Sequence, residues 1–146
     1  MKPRLITFAV LLLSLSAWAQ KDVPYGWHRL KPAEVASRAA KDITARVDLD
    51  GDRRPDPALF LADDNGRSMA LFVYSSSTSR WMKLESSKVA VFSSRRISVV
   101  KPGAYATTCA ATPDDNACKG GEPAKLNLKH PALDLFSPGG THLYFY

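Results

Sequence analysis

Apolar and polar positions along this chain trade places over short distances, and Ser, Arg, Asn-Gly or Pro-Gly punctuates the apolar stretches every few residues. That rhythm predicts strands. After Asp56, "ALFLA" and "MALFVYS" read as strands flanking "DDNGRS", where Asn65-Gly66 is a strong hairpin-turn pair. "RWMKLES", "KVAVFSS" and "RISVVKPG" follow as further short strands. "AYATTC" leads into a cysteine-bounded loop. "AKLNLKH" then sets Leu126 and Leu128 on one face and Asn127 and Lys129 on the other, as a half-buried strand does. "ALDLFS" and "HLYFY" end the chain on either side of the turn "PGGT". Ahead of all these, "QKDVPYGWHRL" reads as an extended aromatic arm, and "KPAEVASRAAKDI" is the one convincing helix. Pro32 suits a first helical turn. Glu34 and Lys41 match the two ends of the helix dipole, and Val35, Ala39 and Ile43 form an apolar stripe at spacing four. The expectation is a mainly β (α+β) domain. It would be a small antiparallel sheet or sandwich of about seven to nine short strands with one N-terminal helix. The chain has no internal repeat, and "SSSTS" reads as a polar loop.

The first nineteen residues stand outside that pattern. Lys2 and Arg4 precede the apolar run "LITFAVLLLSLSA", and Ala17-Trp18-Ala19 is a small-x-small cleavage site, so residues 1–19 are expected to be a signal peptide. The apolar run is short for a membrane anchor. Gln20 stands where a lipoprotein would carry cysteine, so a periplasmic or secreted protein, with no membrane insertion after cleavage, is expected. Residues 20–146 have the length of a single domain. Cleavage leaves 18 basic against 14 acidic residues, a charge of +4. In an exported chain this speaks for solubility, or for an anionic partner, and against nucleic acid.

Cys109 and Cys118 both lie in the exported part, which predicts a disulfide. The intervening "AATPDDNA" has turn-forming Pro113, Asp114 and Asn116. The spacing is not Cys-x-x-Cys, and there is no histidine pair nearby, so neither redox catalysis nor a zinc site is indicated.

Residues 48–56, "DLDGDRRPD", hold four carboxylates in nine residues of a chain that is basic overall. Asp48, Asp50, Asp52 and Asp56 fall at positions one, three, five and nine. In a tight loop the first three can turn toward one point, and the carbonyl of Arg54 and the Asp56 carboxylate can complete an oxygen cage. Hard oxygen donors in this number suit Ca²⁺ better than Mg²⁺. Gly51 lets the backbone turn between ligands. Without a cation, each carboxylate pair at about 4 Å repels by roughly 1 kcal/mol even at the dielectric of water. The alternative is a solvated acidic turn neutralised by Arg46, Arg53 and Arg54. An EF-hand is disfavoured, because Arg53 and Leu59 stand where glycine and glutamate belong.

"VDLDGDRRPDPALFL" resembles the calcium loop of FG-GAP and VCBS-type repeats, D-x-[DN]-G-D-x-x-x-D between two strands. The resemblance covers about fifteen residues. It implies Asp48, Asp50, Asp52 and Asp56 as side-chain ligands and Arg54 as a backbone ligand. It departs at position six, where that family usually has glycine and this chain has Arg53, which would be strained in a left-handed conformation. A propeller of such repeats is excluded, since one motif copy falls short of four blades. More widely, the chain resembles small uncharacterised exported proteins of Gram-negative bacteria that carry one such loop.

No G-x-S-x-G, H-E-x-x-H or phosphate-loop motif is present, and His28, His130 and His142 are scattered. Asp63, Asp64, Asp114, Asp115 and Asp134 with Glu122 are the carboxylates from which a glycosidase couple would have to come, and most sit in turn contexts. The expectation is therefore not an enzyme but a calcium-binding binding or inhibitory module. Its partner would be an envelope hydrolase such as a lysozyme-like enzyme, by analogy with small periplasmic inhibitors and immunity proteins. The alternatives are a structural envelope protein and a small envelope-directed hydrolase. Arg95, Arg96, the disulfide loop, Tyr25, Trp27 and Trp81 are the candidate contact residues.

Overall fold

The structure, a computed structural model, describes residues 23–35, 42–89, 94–107, 123–138 and 140–145. They form a mainly β domain of antiparallel sheets, as the apolar rhythm predicts. The largest sheet has five strands: β1 (Trp27–Arg29), β2 (Thr44–Val47), β3 (Asp56–Asp63), β4 (Ser68–Ser75) and β5 (Arg80–Lys88). β3, β4 and β5 form a meander. β1 and β2 lie end to end along the free edge of β3, β2 pairing with its first half and β1 with its last residues. A second sheet has the order β10-β9-β6, from β6 (Arg96–Val100), β9 (Ala132–Ser137) and β10 (Gly140–Tyr144). β7 (Gly103–Ala106) and β8 (Lys125–Leu128) make a separate ribbon.

The β3–β4 hairpin is the centre of the molecule because its residues are apolar on both faces. Ala58, Phe60, Ala62, Met69, Leu71 and Val73 point one way. They pack with Val47 against Ile97, Leu133 and Leu135 of the second sheet. Leu59, Leu61, Ala70 and Phe72 point the other way, under Val23, Trp27 and Trp81. Trp27 meets Phe72 edge-on at 5.0 Å, and Trp81 meets Tyr74 at 5.3 Å. Leu61 and Leu71 are wholly buried, each stabilising the fold by about 1.5–3 kcal/mol relative to exposure. The register of β4 on β5 shifts between Leu71 and Phe72, leaving Leu84 as an extra residue that packs on the first cluster.

The Asn65-Gly66 turn joins β3 to β4, with Gly66 at φ 67° and the Asp63 carboxylate accepting the N–H groups of Arg67 and Ser68. The expected helix is described only over α1 (Pro32–Val35), none of whose residues is buried. Ala39, most of "KVAVFSS", the expected signal peptide, and Cys109 and Cys118 lie outside the described residues.

Candidate metal centre

The acidic loop runs from the end of β2 to the start of β3, so the pairing of Val47 with Asp56 pins its two ends together. Nine residues closed at both ends must coil tightly. Gly51 at φ 78° and Arg53 at φ 66° supply the left-handed steps. These turn the chain around Asp48, whose carboxylate accepts the N–H of Gly51 at 2.8 Å and of Arg53 at 2.9 Å. Arg53 thus adopts the conformation that its side chain disfavours.

Asp56 is fully buried at the first position of β3. One of its oxygens accepts Leu49 N–H at 3.0 Å and the other accepts Ser76 N–H at 2.8 Å. A buried carboxylate needs such donors; here they tie the loop to the β4–β5 turn.

That turn is the "SSSTS" stretch, and it supplies the donors for the rest of the loop. The hydroxyls of Ser75 and Ser77 both donate to Asp50 Oδ2, at 2.7 and 2.8 Å, and Ser77 N–H adds a third bond at 3.1 Å. Ser75 is itself buried and accepts the Thr78 hydroxyl at 2.8 Å. The Ser75 hydroxyl bond, ahead of the Ser77 donors and the Asp52 N–H, holds the Asp50 carboxyl well below the usual carboxylate range despite its partial desolvation.

Asp48, Asp50 and Asp56 each bring a carboxylate oxygen into a group whose members all lie within 4.8 Å of one another. The structure therefore gathers three of the four expected side-chain ligands. Asp52 is engaged elsewhere: Oδ1 accepts Arg54 N–H at 2.8 Å and Oδ2 accepts the Ser76 hydroxyl at 2.7 Å. Arg54, expected as a backbone ligand through its carbonyl, is exposed and is fixed through its N–H to Asp52. The donor set is all oxygen and anionic, which fits a hard divalent cation and not a soft one. Nothing in the aspartate spacing points to Ser75, Ser76 and Ser77 as donors to the loop. The available signal was a hydroxyl-rich strand end one hairpin beyond an aspartate-rich loop.

The other candidate residues are dispersed. Trp27 and Trp81 cover the second core cluster, while Tyr25 is fully exposed. Arg95 is bonded to Glu85, and Arg96 lies over the Phe136 ring at 5.0 Å. Asp63 is occupied by turn N–H groups, and Asp64 by His28. Asp134 sits in the central strand of the second sheet, with burial raising its carboxyl above the usual range and Ser98 donating to it at 3.1 Å. Asp114, Asp115 and Glu122 lie outside the described residues. Among the described residues no helix is long and apolar enough to cross a membrane. No known family model, curated protein or solved structure matches the chain.

Proposed function

We propose that this protein is an exported, calcium-binding β domain that acts by binding a partner and not by turnover. The convergence of Asp48, Asp50 and Asp56 oxygens within 4.8 Å carries the ion assignment. Three carboxylates at that separation repel one another, and a divalent cation is the simplest group that would reverse the sign of the interaction. Tethering of the loop to the β4–β5 turn supports a stiffening role for the ion, since its binding would brace two connections at one end of the main sheet. The proposed partner is an envelope hydrolase of the lysozyme-like class, held by exposed residues around this rigid frame.

Calorimetric titration with calcium and melting in calcium against chelator test the ion assignment. Affinity is expected at about 10⁻⁴–10⁻³ M, in the range of extracellular modules. Calcium at ten times the dissociation constant should then stabilise by about 1.4 kcal/mol, a Tm rise of a few degrees. Asp50→Ala should abolish the response. Asp64→Ala, beyond the far end of β3 and roughly 26 Å along the strand, should leave it intact. Absence of calcium heat together with identical melting in calcium and chelator would overturn the assignment. For the partner, a stable one-to-one complex that inhibits a lysozyme-like hydrolase supports the reading, and peptidoglycan turnover by the chain alone overturns it.

A further inference from the structure

At the other end of the main sheet, His28 of β1 is held between two carboxylates on different segments. Its Nδ1 lies 3.1 Å from Asp64 Oδ1, in the β3–β4 turn, and its Nε2 lies 3.2 Å from Glu34 Oε1, in α1. Ionised carboxylates only accept hydrogen bonds, so both contacts need an N–H on the ring. Neutral imidazole has one; imidazolium has two. The arrangement is complete only when His28 is doubly protonated, and with both nitrogens engaged the ring is not placed to serve as a general base.

The two carboxylates are themselves anchored. Glu34 Oε2 accepts Lys31 N–H at 2.7 Å at the start of α1, and Asp64 N–H donates to Gly26 O at 3.0 Å. The imidazolium therefore joins the first turn of α1 to the β3–β4 hairpin. Since Pro32–Val35 bury no residue, little else described holds that turn down.

We propose that His28 is a proton-operated latch, fastening the Lys31–Val35 segment to the β3–β4 turn when doubly protonated and releasing it when neutral. The groups acting on it among the described residues are Glu34 and Asp64, which favour the charged ring, and Lys31, which opposes it. The Glu34 and Asp64 hydrogen bonds outweigh the small desolvation and the Lys31 charge, so the His28 pKa is raised. For a raised histidine the sign is fixed: the stabilisation is complete below the unfolded value of about 6.5 and is lost as pH rises through the folded value.

The test is an imidazole-resolved NMR titration of the exported chain, paired with amide hydrogen exchange expressed as protection factors. His28 should titrate above 6.5, and protection at Glu34 and Val35, whose N–H groups both donate to Lys31 O, should fall on the order of tenfold across that titration. Protection at Leu61 and Leu71 should stay constant. His28→Gln should give low, pH-independent protection in the segment. Glu34→Gln, which keeps an acceptor for Lys31 N–H, should return the His28 titration toward its ordinary value. A His28 that titrates at or below 6.5, or segment protection unchanged through its titration, would overturn the proposal.

Discussion

Arg53 is the residue whose local conformation most disagrees with its side chain. At φ 66° it occupies a left-handed position, which costs an L-residue about 1–2 kcal/mol. It is held there because its N–H closes the ring onto Asp48. Glycine at this position would relieve the strain, offset by roughly 0.5–1 kcal/mol of extra chain entropy in the unfolded state. Arg53→Gly is therefore expected to stabilise the protein by about 0.5 kcal/mol in chelator, read from urea denaturation. In calcium the gain should be larger, because the substitution also removes a positive charge from beside the proposed cation. A loss of stability in chelator would show that the arginine side chain contributes more than its backbone forfeits.

Among the elements, the second sheet carries an internal conflict at Asp134. This residue lies in β9 between β6 and β10, one of its oxygens is buried without a hydrogen-bond partner, and burial raises its pKa. A raised carboxyl favours its neutral form, so its contribution is most favourable below the unfolded value of about 3.9 and is lost as pH rises through the folded value. Asp134→Asn keeps an acceptor for Ser98 and removes the charge. It should raise the Tm at pH 7 by a few degrees, and thermal melts at pH 3 should show that gain gone. The elements differ in how openly the sequence declared them. β3 and β4 were legible because Ala58 to Ala62 and Met69 to Tyr74 are apolar throughout and Asn65-Gly66 can scarcely serve as anything but a turn. Extra pairing was not: Trp27–Arg29 reads as an arm until β3 offers it an edge, and Leu84 reads as an ordinary strand residue until the register shifts beside it. At the site, aspartate spacing identified the loop, but spacing cannot show that the hydroxyl donors come from Ser75–Ser77, more than twenty residues downstream and adjacent only through the hairpin.

At the scale of the whole molecule, the two ends of the main sheet are fastened differently. One end joins the acidic loop to the serine turn; the other joins His28 to the hairpin turn and α1. Between them runs a hairpin covered on one face by the second sheet, whose strands are gathered from distant parts of the sequence. The ties of the acidic loop to the serine turn span 20 to 27 residues and enclose only the β3–β4 hairpin. Rings of that size close at modest entropic cost, doubling in length adding only about 0.6 kcal/mol. The meander is also local in sequence, whereas β6 and β9 must find each other across the 101–131 segment. Local contacts form early in folding. The loop should therefore already be closed in the transition state, and an ion bound there would act on the speed of folding more than on the lifetime of the folded chain. In stopped-flow refolding, calcium at ten times its dissociation constant should accelerate folding by up to about tenfold and leave unfolding almost unchanged. Slower unfolding with unaltered refolding would place closure of the loop after the barrier. If the chain is exported and binds calcium as proposed, the calcium it meets beyond the membrane would set its rate of maturation.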